Sequence, residues 1–217
     1  MKINHGCGSI RPTNWINTDS SLNAFFQKIP VFGSLFCQIF STRRYDSTNV
    51  VYFNLNRKWR YTSNSVDIVY ASHLFEHLNL ESADIFLKES YRVLKPNGVI
   101  RIVVPDLYAL AKKYVLEFED GKLENPSLDF MWAINMHKEG QYKNSSFLKS
   151  LFAWLQGFPH QHKYMYDKKS LYLLFKRYGF VDIRFYGYGE SSLIKEIKDL
   201  EGDREHYLSV YIEALKP

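Results

Sequence analysis

The chain has 217 residues, a formal net charge of +5 and a hydrophobic content of 46%, with 16 Tyr and 16 Phe. This composition excludes a disordered chain, and the length is typical of one α/β domain with a buried core. The basic residues are scattered in short groups, which disfavours a nucleic-acid-binding surface; they include Arg57, Lys58, Arg60, Lys112, Lys113, Lys168 and Lys169.

The cysteine content and the N-terminus bear on the compartment. The two cysteines, Cys7 and Cys37, provide no disulfide framework. The chain also enters an apolar strand directly, without a charged and then apolar leader. We therefore expect a cytoplasmic protein.

The first predicted elements surround a Gly-x-Gly turn, Gly6-Cys7-Gly8, which follows an apolar strand that begins near Ile3. Glycine lets the backbone approach a ligand closely, because it has no side chain to clash. A second short strand over 15–19 ends in Asp19, whose carboxylate can accept hydrogen bonds from two neighbouring ribose hydroxyls. This order predicts a site for a nucleoside-bearing cofactor.

The absence of two sequence motifs narrows the choice of cofactor. Arg11 stands where a dinucleotide fingerprint needs its third glycine, and the chain contains no Walker phosphate loop. The remaining common nucleoside cofactor, S-adenosylmethionine, carries no phosphate. It is therefore the predicted cofactor.

The following segments alternate strand-like and helical patterns, which predicts an α/β fold built on a mostly parallel sheet. Only about ten residues separate Gly8 from Asp19, so the first crossover helix is reduced to a turn. The C-terminal strand pair predicts an antiparallel hairpin. Predicted strands after Asp19 cover 50–55, 66–71, 99–104, 180–186 and 208–215, and predicted helices cover 83–94, before the turn Pro96-Asn97-Gly98, and 170–178.

Two segments interrupt this alternation, and we assign both to a cap on a single domain over 1–217. They lie at about 20–49 and 106–166. The first is too broken and too polar to span a bilayer. It is predicted to form two short helices that close over the acceptor, with two alternatives: it covers a sheet face, or it makes a peripheral membrane contact.

The segment Asp67-Ile68-Val69-Tyr70-Ala71-Ser72-His73-Leu74-Phe75-Glu76-His77-Leu78, followed by Val93-Leu94-Lys95-Pro96-Asn97-Gly98, resembles the class I S-adenosylmethionine-dependent methyltransferases. The resemblance is greatest to the small bacterial "type 11" group and runs from Ile3 to about Pro105. It implies a Rossmann-like, seven-stranded fold and methyl transfer from S-adenosylmethionine. The implied cofactor-binding residues are Asn4, Gly6, Cys7 and Gly8 at the methionine part, Asp19 at the ribose, Asn54 and Leu55 at the adenine, and Ser72 and His73 at the sulfonium end.

Three positions depart from the family pattern. Asn4 and Asn54 stand where acidic residues are usual, and Ile10 stands where a third glycine is frequent. The cofactor amines thereby lose formal charge partners, although amide oxygens still accept hydrogen bonds.

Methyl transfer needs alignment and exclusion of water, and it needs a base only when a hydroxyl must lose its proton. The predicted catalytic candidates are His73, His160, His162 and Asp106, while His77 is predicted to be structural. Asp106 either orients an acceptor or caps the helix that follows it. His160 and His162 have no third ligand at a convincing spacing, so no metal site is predicted.

The predicted function is O-methylation of a small or saccharide-type acceptor by in-line methyl transfer. Two alternatives stay open: an RNA methyltransferase, and a non-catalytic cofactor-binding or scaffold protein. The oligomeric state is not predicted.

Overall fold

The computed structural model describes residues 1–20, 49–121, 124–135, 161–201 and 208–217. Its seven strands form one sheet in the order β3-β2-β1-β4-β5-β7-β6. They are β1 (Lys2–His5), β2 (Ile16–Asp19), β3 (Val50–Tyr52), β4 (Val66–Ser72), β5 (Leu94–Pro105), β6 (Val181–Tyr186) and β7 (Ser209–Leu215).

The direction of the strands confirms the predicted fold class. Strands β3, β2, β1, β4 and β5 pair in parallel, and β7 runs antiparallel to both of its neighbours, β5 and β6. The predicted C-terminal pair is thus antiparallel. It is not a simple hairpin at the edge, because β7 inserts between β5 and β6 and a helix lies in the connection between β6 and β7.

The helices begin at side-chain caps. Asn79 Oδ1 accepts a hydrogen bond from the amide of Ser82 at 2.8 Å, and Asp167 and Ser170 form a capping box. The capping box begins the last long helix earlier than the predicted 170–178. The described helices are α1 (Leu80–Val93), α2 (Leu107–Glu119), α3 (Pro126–Ala133), α4 (Lys168–Arg177) and α5 (Ile197–Glu201), with a 3₁₀ turn at Phe75–His77.

Both faces of the sheet are covered, and the alternation of side chains along β5 shows how. Ile100 and Ile102 point to one face, where the buried cluster includes Phe86 of α1 and Phe175 of α4. The other face of β5 belongs to a second cluster that includes Leu200 of α5. None of the helices in the described residues has the length and hydropathy needed to cross a bilayer.

Arg101 is a buried charge on this second face. Its Nη1 lies 2.7 Å from Glu213 Oε1, and its Nε lies 2.8 Å from Glu201 Oε1. Burial raises the pKa of Glu201, and the neighbouring guanidinium opposes that change. This ion cluster joins β5, β7 and α5, away from the carboxyl ends of the strands.

Two local predictions concern the connections. Between Gly8 and Ile16 the chain makes only turns, including a 2.9 Å hydrogen bond from Ile10 N to Cys7 O, so the reduced first crossover is confirmed. Helix α1 ends just before Pro96-Asn97-Gly98 as predicted. The chain does not turn away there, however: it continues as β5, with a positive φ of 63° at Asn97 and a shift in strand register.

The predicted caps are described only in part. Residues 21–48, which make up most of the first cap, lie outside the described residues. The second cap contains α2 and α3, which pack through Tyr114 and Phe130 with ring centroids 5.0 Å apart.

Candidate functional site

The glycine turn lies beside the end of β2. The amide of Cys7 donates to Thr18 O at 3.1 Å, which extends the pairing of β1 with β2 into the turn. Gly6 and Gly8 both have positive φ, at 67° and 50°. The turn is therefore next to Asp19, the last residue of β2, as the sequence predicts.

A close contact explains Gly6 and joins the turn to the end of β4. A Cβ at Gly6 would lie 3.0 Å from Leu74 Cβ, a distance tighter than ordinary packing allows. Leu74 follows His73 directly, so the glycine turn and His73 belong to one region of the sheet edge. Parallel strands bring their carboxyl ends together at this edge, where ligands of open α/β sheets bind.

Asn4 braces the glycine turn from within the protein. It is 2% exposed, and its Nδ2 donates to Ile10 O at 3.0 Å and to Asn17 Oδ1 at 3.1 Å. Asn17 Nδ2 donates to Pro12 O at 3.1 Å. Because no helix follows the turn, these two side-chain amides satisfy its carbonyls, a task that a carboxylate without a donor cannot perform.

Arg11 and His5 also have structural partners. Arg11 Nε donates to Gly8 O at 2.9 Å. His5 is fully buried against Trp59 and forms a 2.7 Å hydrogen bond with Thr18 Oγ1 through Nδ1. Burial lowers the pKa of His5 to about 3, so this imidazole is neutral at physiological pH.

The edge formed by Gly8 and Asp19 fits a nucleoside cofactor. Among the described residues, no atom lies within 4 Å of the position that a Cβ would take at Gly8, so a ligand has room against this backbone. Asp19 is half-buried, and its main-chain oxygen accepts from Phe53 N at 3.0 Å. The hydrogen bond from Phe53 fixes the backbone of Asp19, which carries the carboxylate near the unobstructed side of Gly8.

The two predicted adenine contacts lie just after β3. Asn54 is exposed, and its Oδ1 accepts from Asn56 N at 2.9 Å. Leu55 is 5% exposed and belongs to the core cluster on the α1 face. Their contact with adenine stays a prediction.

The end of β4 supplies a strained histidine. Ser72 ends the strand, and the amide of His73 donates to Val103 O of β5 at 2.9 Å. His73 has a φ of 48°, which is uncommon outside glycine and asparagine and is concentrated at functional sites. Its Nδ1 lies 3.2 Å from Glu76 Oε1, so a carboxylate orients the imidazole.

Glu76 is a functional candidate that the sequence analysis missed. It is fully buried, and its Oε1 lies 3.9 Å from His162 Nε2 as well as near His73. Burial lowers the pKa of His162, and the Glu76 charge opposes that shift. The spacing His73-x-x-Glu76-His77, which occurs in some helical metal sites, could have drawn attention to it.

A segment that precedes α4 crosses this region. The amide of Lys163 donates to Glu76 O at 2.7 Å, and the amide of Leu107 donates to Tyr166 O at 2.8 Å. These bonds bring His162 to Glu76, while His160 lies outside the described residues. Tyr166 is buried, and burial raises the pKa of its phenol.

Asp106 is a helix cap. Its Oδ1 accepts from the amides of Tyr108 at 3.0 Å and Ala109 at 3.4 Å, at the start of α2. The capping alternative is therefore confirmed, and the carboxylate is engaged by the helix. Beside it lies an open groove of about 990 Å³, lined among others by Tyr108, Leu116, Lys112, Lys113, Lys168 and Lys169.

Comparisons with known proteins agree with this architecture. Residues 39–102 match a family model described as a methyltransferase domain. That range includes β3, β4, α1 and most of β5, and it leaves the glycine turn outside the match. No curated protein sequence matches the chain significantly.

Solved structures match this chain at low identity and with TM-scores below 0.5. A S-adenosylmethionine-dependent methyltransferase from Methanosarcina mazei has 15% identity and a TM-score of 0.48, over 99% of this chain and 91% of that chain. A S-adenosylmethionine-dependent methyltransferase from Archaeoglobus fulgidus has 15% identity and a TM-score of 0.47, over 99% and 85%. For a carbon methyltransferase of CurJ, with 12% identity and a TM-score of 0.46, the alignment covers 99% of this chain but only 47% of the other.

The family-model match covers less than a third of the chain. The match falls on the segment whose motifs carry the resemblance noted from the sequence, and the order β3-β2-β1-β4-β5-β7-β6 with one antiparallel strand agrees with the predicted fold. Over residues 39–102 the chain is therefore similar to a methyltransferase domain.

Proposed function

We propose that this protein is a S-adenosylmethionine-dependent methyltransferase that methylates a hydroxyl group of a saccharide-type acceptor, with His73 as the general base. The observation that carries the proposal is the contact between His73 Nδ1 and Glu76 Oε1 at 3.2 Å, at the carboxyl end of β4. A hydroxyl must lose its proton to become a good nucleophile, and an oriented imidazole is the usual base. When bound, S-adenosylmethionine supplies a methyl group attached to a sulfonium sulfur, and this sulfur is a good leaving group.

The residues of the chain divide the remaining work. The backbone of Gly6 and Gly8 holds the methionine part, and the Asp19 carboxylate accepts from the ribose hydroxyls. The Glu76 carboxylate lies 3.2 Å from His73 Nδ1 and orients the ring, and in this proposal Nε2 takes the acceptor proton. His73 Nε2 is buried, which keeps bulk water away from it.

The groove beside Asp106 supports a polar acceptor of moderate size. Tyr108 and Leu116 are 67% and 55% exposed and offer apolar surface against which a sugar ring can pack. Four lysines also line it, so a phosphate-bearing sugar nucleotide finds cationic partners there. Cytoplasmic location is part of the same proposal, since a sequence with two cysteines provides no disulfide framework.

The experiment is a methyl-transfer assay with labelled S-adenosylmethionine and three acceptor classes: free saccharides, sugar nucleotides and RNA. We expect label in a saccharide or sugar nucleotide, and we expect the product to resist mild base, as an ether does and an ester does not. Label confined to RNA, with strong dependence on salt, would instead support the alternative acceptor. Cofactor binding without label in any class would favour a non-catalytic role.

A further inference from the structure

The carboxylate of Glu76 is a buried charge that lacks ordinary partners. The residue is fully buried, and within the described residues neither carboxylate oxygen accepts a hydrogen bond from an amide or a hydroxyl. Its neighbours are imidazoles, with His73 Nδ1 at 3.2 Å and His162 Nε2 at 3.9 Å. An isolated buried carboxylate is costly unless a cation or several donors compensate it.

His77 and His162 stand beside this carboxylate from two distant parts of the chain. One potential ligand atom from each of Glu76, His77 and His162 lies within 4.8 Å of the other two. The two imidazole rings meet edge to face, with centroids 4.9 Å apart. Two imidazoles and one carboxylate form a donor set that suits zinc.

The hydrogen bonds around the histidines agree with metal binding. His77 Nδ1 donates to Gln161 O at 3.1 Å, which leaves Nε2 with a lone pair. His162 Nδ1 lies 3.3 Å from Met165 Sδ, and its Nε2 is the atom near Glu76. Metal-bound histidines commonly donate a hydrogen bond from their second ring nitrogen to a backbone carbonyl, as His77 does.

We propose that Glu76, His77 and His162 bind a zinc ion that fastens the 3₁₀ turn after β4 to the segment leading into α4. Ligand atoms of a tetrahedral zinc ion lie about 3.3 Å apart, given bonds of about 2.0 to 2.1 Å. Side-chain rotations therefore suffice, because the backbones are already joined by the bond from Lys163 N to Glu76 O. Two of the three ligand side chains are almost closed to solvent, with 1% exposure for Glu76 and 9% for His162, and three protein ligands leave the fourth zinc position for water.

This inference differs from the prediction made from His160 and His162, which found no third ligand near them in the sequence. The missing ligands come from Glu76 and His77, far away along the chain. It is also independent of the acceptor, because it concerns metal affinity and stability rather than methyl transfer.

The experiment measures zinc binding to the full chain by competition with a chromophoric chelator. We expect one zinc ion per chain, and His77→Ala and His162→Ala should each weaken the affinity by more than about tenfold. His160→Ala is the matched control and should leave it unchanged. Equal losses in His160→Ala and His162→Ala, without a loss in His77→Ala, would place the metal on the His-x-His pair and overturn the proposal.

A second measurement uses the wild-type chain alone, in case a variant does not fold. X-ray absorption of the zinc-loaded protein should show two imidazole ligands and no sulfur. A thiolate ligand, or a shell of oxygen atoms only, would contradict the assignment. A chelator should also lower the Tm of the wild type and leave that of His77→Ala unchanged; no effect on the wild type would count against the site.

Discussion

The imidazole of His73 and the carboxylate of Glu76 lie 3.2 Å apart, from Nδ1 to Oε1, although His73 is half-exposed and Glu76 is fully buried. The carboxylate thus holds the imidazole from inside the protein, at the carboxyl end of β4. This arrangement gives the account its first prediction.

Removal of the His73 imidazole should lower kcat by about two to four orders of magnitude, the usual contribution of a general base. The variant of choice is His73→Asn, because asparagine tolerates the positive φ of this position and avoids backbone strain. Calorimetry with S-adenosylhomocysteine should give an affinity within a few-fold of the wild type. If kcat falls only a few-fold, alignment of the acceptor with the methyl group accounts for catalysis without a general base.

Asn4→Asp should lower the free energy of unfolding by about 3 kcal/mol. The carboxylate cannot donate to Ile10 O and Asn17 Oδ1, and the buried groups then lack partners. Urea unfolding measures the change. The matched control is Asn54→Asp, which is exposed and keeps an oxygen to accept from Asn56 N, so it should stay within about 0.5 kcal/mol. Equal effects of the two variants would contradict the bracing role of Asn4.

Asp106 offers a test that separates a helix cap from an acceptor-binding residue. Asp106→Ala should cost about 1 kcal/mol of stability, whereas Asp106→Asn should cost little, because asparagine is an equally good N-cap. Both variants should keep the wild-type kcat. A stable Asp106→Asn protein with greatly reduced turnover would show that the carboxylate acts on the acceptor.

The buried His5 makes stability depend on pH. Its pKa is about 3 when folded, against 6.5 for an ordinary imidazole, so below about pH 6.5 the unfolded chain binds a proton that the folded chain does not. The neutral His5 therefore contributes fully to the free energy of unfolding above pH 6.5. This contribution declines toward pH 3, by up to about 1.4 kcal/mol per pH unit. Urea unfolding from about pH 7.5 to 4.5 should show a shallower decline for His5→Gln than for the wild type. Parallel curves would contradict this account.

Much of the fold could be predicted because its signals are local. The apolar runs of β4 and β5, the helical spacing over α1 and the glycine after α4 each act within a few residues. The short crossover between Gly8 and Asp19 was also predictable, since so few residues cannot hold a helix. The insertion of β7 between β5 and β6 was not, because it depends on which strand edges remain open after the parallel strands have paired.

The proximity of the glycine turn to Asp19 was predictable from the sequence, whereas the surroundings of Glu76 were not. The glycine turn and Asp19 are close in sequence, and their chemistry is specific to a nucleoside. The neighbours of Glu76 include His162, which is brought near by backbone bonds at Lys163 and Tyr166. The hydrogen bonds that Asn4 Nδ2 donates were not predictable, because the alternation along β1 does not reveal which oxygens need a donor.

The most direct test of the central claim is the affinity for S-adenosylhomocysteine, measured by calorimetry on the wild type and Asp19→Ala. Loss of a carboxylate that binds the ribose should weaken binding by about 1.5 to 3 kcal/mol. Asp199→Ala is the control, since this residue is exposed on α5 and its amide donates to the main-chain oxygen of Glu196, which pairs with Lys2 at the amino end of β1. We predict measurable wild-type binding, a loss of about tenfold or more in Asp19→Ala, and no change in Asp199→Ala. A folded wild-type protein without affinity, or an unchanged affinity in folded Asp19→Ala, would contradict the cofactor site described for β1 and β2.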